Sequence, residues 1–171
     1  MTQRTPGNER AALLGSLGGQ RRHVLGVLSG LSDADLRRPV LPTGWTCHAM
    51  VRHLAVDVER FWFRGVAAGE PVDLHDTTGW QPSPDEPAEA ALELYRQEIV
   101  RADAILDTID LDAAPATWPE YFTHWRLDDV RGIILHVITE TAAHAGHLDA
   151  ARELIDGRTW FGPEESRVER D

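Results

Sequence analysis

Cysteine is nearly missing from this chain: Cys47 stands alone among 171 residues. A single thiol excludes an intramolecular disulfide and any cysteine-rich metal site. Long apolar runs are missing too, since no stretch approaches the ~18 residues that a membrane-spanning helix needs. No continuous apolar segment follows the opening residues Met1 to Arg10, so a signal peptide is not expected. No strand-like alternation persists, and there are no internal repeats or low-complexity segments. Positive charge is in deficit, and the formal net charge is -11. That balance argues against a nucleic-acid backbone as partner. These absences predict a cytoplasmic protein bound neither to membrane nor to nucleic acid.

What is present suits one compact domain over residues 1–171, with 42% hydrophobic and 26% charged residues. The spacing predicts four long helices. The first spans about Asn8 to Ser29, with Leu13, Leu14, Leu17, Val24, Leu25 and Leu28 on one face. A short helical piece or turn is expected over Leu31 to Leu36. The second helix spans about Thr46 to Ala68, with Met50, His53, Leu54, Asp57, Val58 and Phe61 on one face. A proline-bearing loop, Pro71 to Pro87, follows. The third spans about Ala88 to Asp107. A second connector, Leu111 to Trp125, precedes the fourth helix, expected from Leu127 to Asp156 with Gly157 as its stop. An all-α, four-helix bundle is the fold class these elements predict.

The chemistry concentrates in His136-Val-Ile-Thr-Glu140-Thr-Ala-Ala-His144-Ala-Gly-His147. At ~100° per residue, its four polar side chains fall within an arc of roughly 80°. Imidazole and carboxylate are ligands of divalent metals such as zinc. Glu140 and His144 lie on the flank of the apolar stripe, where an unpaired carboxylate is costly. Either they bind a metal, or Glu140 pairs with Arg131, Arg152 or a histidine. His53 follows the same logic on the second helix; alone, it reads equally as a core histidine. Together His53, Glu140 and His144 would give three ligands and leave a fourth position open, the arrangement of catalytic sites. The pattern is not that of the zincins, which need two histidines four apart with glutamate directly after the first.

Two segments resemble the DinB-like superfamily. Gly44-Trp45-Thr46-Cys47-His48-Ala49-Met50-Val51-Arg52-His53-Leu54-Ala55 resembles its second-helix signature. Glu140 to Asp149 resembles its fourth-helix signature, and Ala150 to Gly157 looks like the mini-circle protein branch. The resemblance covers roughly Ala11 to Gly157. It implies a bundle in up-down-down-up order, a homodimer, and a metal between the second and fourth helices. Many members use three histidines. Glu140 replaces one here, as in the mycothiol-dependent maleylpyruvate isomerase pattern. The ligands implied are His53, Glu140 and His144. Mycothiol and bacillithiol S-transferases are related.

His147 either takes part in catalysis or is a surface histidine. His136 is a candidate to support a ligand from one turn away. Asp57 and Glu59 either orient an imidazole or are solvated, the second being the plainer expectation. His48 points ~140° from His53 and is not expected to share its metal. Cys47 is expected to pack as a small apolar group. Trp45 and Trp62 either line a pocket or fill the core. His23, His75 and His124 lack partners at ligand spacing.

The expected function is a divalent-metal-dependent thiol S-transferase or isomerase acting on a small electrophile. Zinc is the first choice of metal, with nickel, iron or manganese also suited, and a low-molecular-weight thiol as co-substrate. A metal-binding protein without turnover and a metal-assisted hydrolase are the alternatives.

Overall fold

Side-chain caps set where α-helices begin at Ser32, Thr46 and Asp129. The computed structural model describes residues 6–74, 81–83, 85–160 and 162, with side chains from residue 9 onward. Among these, the order is α1 (Pro6–Leu28), α2 (Asp33–Leu36), α3 (Cys47–His53), a π-helix (Leu54–Ala67), α4 (Ala88–Leu106) and α5 (Val130–Asp156). No strand occurs among the described residues, so the all-α expectation holds. His75 lies outside them.

The Thr46 side chain accepts a bond from the Ala49 N–H at 3.1 Å and so starts α3. Asp129 does the same for α5, accepting from the Gly132 N–H at 2.7 Å. That cap puts the start at Val130, three residues beyond the expected Leu127. At the other end Gly157 adopts φ 75°, a left-handed conformation that glycine takes without penalty.

The second helix departs from its expected period. After His53 the winding changes from α to π for 14 residues without a break. Its last bonds reach back five residues, as from the Ala68 N–H to the Phe63 carbonyl at 3.0 Å. π-Winding normally lasts a single turn and concentrates at functional sites. Here it begins at the residue after His53.

The α3–π rod packs against α4 and α5, while α1 packs against α5. The core includes Leu17, Val24, Leu54, Phe63, Tyr95, Ile133, Ile134 and Leu148. The rod and α5 are therefore neighbours, which lets side chains from both meet. Residues of the second connector are fastened to the end of the π-helix. The Thr117 N–H donates to the Val66 carbonyl at 3.2 Å, and the Thr117 hydroxyl to that of Gly65 at 2.8 Å. At Gly65 a side chain would force its neighbours to shift. A Cβ there would lie 2.5 Å from Leu74 Cδ2 and 2.6 Å from Val72 Cγ2.

One buried carboxylate has an acid-stability consequence. Glu98 is fully buried and takes hydrogen bonds from Arg60, Arg64 and Arg101. Burial alone would raise its pKa, but the guanidinium groups of Arg60 and Arg64 outweigh burial and hold it low. A lowered carboxyl pKa contributes stability that is present above the unfolded value of about 4.3 and is lost as pH falls through the folded value. Thermal melts should therefore fall steeply below about pH 4. Glu98→Gln should start less stable at neutral pH and show a shallower acid slope. Parallel slopes in the two proteins would remove Glu98 as the cause.

Candidate metal centre

His53 ends α3, one residue before the winding changes, and is half-buried. Glu140 and His144 sit one turn apart on α5. The α3–π rod and α5 bring one donor atom from each of these three residues within 4.8 Å of the other two. His144 Nε2 lies 3.6 Å from Glu140 Oε2. The His53 and His144 rings meet edge to face, centroids 4.9 Å apart. Bonds of about 2.1 Å place the donors of one tetrahedral zinc roughly 3.4 Å apart, so small side-chain rotations close this set on one ion. Arg131 and Arg152 are engaged elsewhere: Arg131 with Glu9, Asp112 and Asp129, Arg152 with Asp156 and the carbonyls of Val27 and Ser29. Glu140 thus faces a histidine rather than either arginine.

The surroundings fit a ligand set. His53 Nδ1 lies 2.8 Å from Asp57 Oδ2, which leaves Nε2 as the ring nitrogen free to bind. A carboxylate on the far nitrogen is the usual support of a metal-binding imidazole. Asp57 therefore does more than meet solvent, the plainer expectation from sequence. His144 is held below the usual histidine range, first by burial and then by the neighbouring His53. It is thus neutral at pH 7, the form that binds metal. His147 is exposed, and its Nδ1 lies 3.5 Å from His144 Nδ1.

Glu59, two residues after Asp57, goes elsewhere. It is fully buried and grips Arg21 with both oxygens, at 2.7 and 2.6 Å. It neither orients an imidazole nor meets solvent, so both expectations for it are corrected. His136 stands between Trp62 and Trp125, with ring centroids 4.6 and 5.5 Å away. Burial lowers its pKa against the opposing charge of Glu140.

The remaining candidates separate cleanly. Cys47 is 2% exposed, and burial pushes its thiol up to about 11, so it packs as a small apolar group. His48 is buried apart from the triad, and its Nε2 has no hydrogen-bond partner. Trp45 stands edge-on to His53, centroids 5.7 Å apart, and lines a cavity of about 200 Å³ with Thr43, Gly44, Thr46 and Ala49. Trp62 is 4% exposed and belongs to a cluster with Trp118, Phe122 and Trp125. Of that cluster only Trp62 stands out as a candidate in the sequence. The signal was present as four aromatic residues between Trp118 and Trp125, inside a connector that otherwise looked like a spacer. His23 is not without a partner: its Nε2 lies 2.9 Å from Asp149, and its ring stacks on Trp160. His124 is exposed.

A family model described as Mycothiol-S-transferase matches residues 12–157. No curated protein and no solved structure matches the chain.

Proposed function

The chain belongs to the mycothiol S-transferase family, and from that premise we propose a divalent-metal-dependent S-transferase that joins the sulfur of a small thiol, of the mycothiol kind, to a small electrophile. The observation that carries the metal dependence is the meeting of His53, Glu140 and His144 from two helices, with Asp57 behind His53. The up-down-down-up order of the long helices belongs to the same reading.

A divalent cation held by the three side chains would supply a Lewis acid that keeps a thiol sulfur ionised at neutral pH. The chain's own residues do the rest. Asp57 fixes the His53 ring and keeps Nε2 as the available lone pair. Burial keeps His144 neutral. His147, exposed at the rim, takes the proton of the incoming thiol and passes it to water. The sulfur then forms a bond to the electrophilic carbon. In transfer, a leaving group departs with its bonding pair. In isomerisation, the same first bond is later broken and the thiol is returned.

Cys47 supports an external thiol. A buried thiol whose pKa is about 11 is almost wholly protonated at pH 7, and the thiolate is the nucleophile. Cys47→Ala should leave the rate of transfer within about twofold of the parent. A loss of a hundredfold would instead make Cys47 the attacking group.

The reading is tested by loading the purified protein with zinc, nickel or iron in turn and following conjugate formation between a low-molecular-weight thiol and an electrophile. Conjugation that needs the thiol and stops on chelation is the expected result. A rate unchanged by chelation sinks the metal dependence, and product formed without thiol favours the hydrolase.

A further inference from the structure

An imidazole turns easily about the bond that joins it to Cβ, because that torsion has broad minima. Asp57 holds the His53 ring at Nδ1, 2.8 Å away, and so settles which nitrogen stays available. One hydrogen bond still leaves the ring its tilt about that contact. Two other rings meet His53 edge to face. His144 stands at 83°, centroids 4.9 Å apart. Trp45 stands at 78°, centroids 5.7 Å apart. His144 belongs to the triad and would rotate with it on closing around an ion. Trp45 offers no lone pair to a metal, and its contact depends on no ion.

Local chemistry fixes Trp45 in turn. Before it, the Gly44 N–H donates to the Leu41 carbonyl at 2.9 Å, and Gly44 takes φ 77°, which glycine adopts without penalty. After it, Thr46 caps α3. The backbone is thus pinned on both sides of the indole. Edge to face is an arrangement that aromatic pairs prefer, since the positive edge of one ring meets the negative face of the other. Trp45 also borders the cavity with Thr43, Gly44, Thr46 and Ala49, and it is half-buried rather than set in the core. Truncating it should therefore spare the fold.

We infer that Trp45 is a positioning residue of the metal centre, whose indole holds the His53 ring at the tilt that presents Nε2 to Glu140 and His144. This rests on the metal site proposed above and not on the transfer reaction.

The test compares the full chain with Trp45→Leu and Trp45→Phe. Leucine keeps an apolar side chain before the cap but removes the ring, and phenylalanine keeps a ring. Competition with a chromophoric chelator reads the affinity for zinc. Trp45→Leu should bind zinc about three- to tenfold more weakly, and Trp45→Phe within about twofold of the parent. Unchanged affinity in Trp45→Leu, or equal weakening in both variants, overturns the inference. Proton NMR of the zinc-free proteins gives a second reading. Cross-peaks between the His53 and His144 rings should be sharp in the parent and Trp45→Phe, and broadened or lost in Trp45→Leu. The same cross-peaks in all three proteins overturn the inference. If the parent takes up no zinc, the metal site fails by itself, and the spectra alone decide whether Trp45 sets the ring.

Discussion

Glu140→Ala is expected to leave the purified protein without bound metal and to lower thiol transfer by on the order of a thousandfold or more. A metal ion gains its affinity from the few donors that replace its water. Three protein donors meet here, so removing one deletes a third of the set. Glu140 is also the anionic member, and it alone offsets the charge of a divalent ion within the triad. His53→Ala and His144→Ala should have the same consequence, from helices that differ in sequence and in partners. Asp57→Asn should act more mildly, because it touches only the far nitrogen of His53. Losses of that kind run to about 10–100-fold in affinity. Elemental analysis checks the series, beside a thermal melt to show that each variant folds. One metal per chain retained in all three ligand variants would move the site elsewhere.

Much of the architecture was legible because it rests on local chemistry. Thr46 and Gly157 are a capping side chain and a left-handed residue, and both mark their helix ends where expected. The apolar face of α1 follows ordinary helical spacing, so Leu17, Val24 and Leu28 are buried as the pattern predicts. His53, Glu140 and His144 were legible as a set because each sits on the flank of an apolar face.

What was not legible depends on contacts distant in sequence. The π-winding cannot be read from a periodicity that assumes 3.6 residues per turn. Asp57 and Glu59 were both expected to be solvated because both are acids on one helix, and only their partners separate them. Asp57 has His53 within its own turn, whereas Glu59 needs Arg21 from α1, 38 residues earlier. The aromatic cluster around Trp62 was missed for a related reason. A connector's side chains acquire meaning only once its backbone is fastened to another element, here by Thr117 to Gly65 and Val66.

That long-range pair yields the largest stability effect. Glu59→Ala is expected to destabilise the fold by about 3–5 kcal/mol. The Arg21 side chain is only 6% exposed, and it spends two nitrogens on Glu59. Without Glu59 it would be left with Asp103, at 2.6 Å, whose own side chain is 56% exposed and so weakly placed to compensate. A buried guanidinium left without its carboxylate keeps most of its desolvation penalty and loses most of the return. For a chain of this size the loss corresponds to roughly 10 °C or more in Tm. Pairing Arg21→Leu with Glu59→Leu should recover a large part of it, since apolar side chains in place of a buried ion pair are often neutral or better. The double-mutant cycle then isolates the coupling, provided each variant still unfolds in one transition. Metal content separates the two acids of this helix. Glu59→Ala should keep its metal while losing stability, and Asp57→Asn should weaken metal binding while changing stability little. If Glu59→Ala melts within 1 °C of the parent, the pair contributes nothing net, and the cost of burying it must be met by its neighbours.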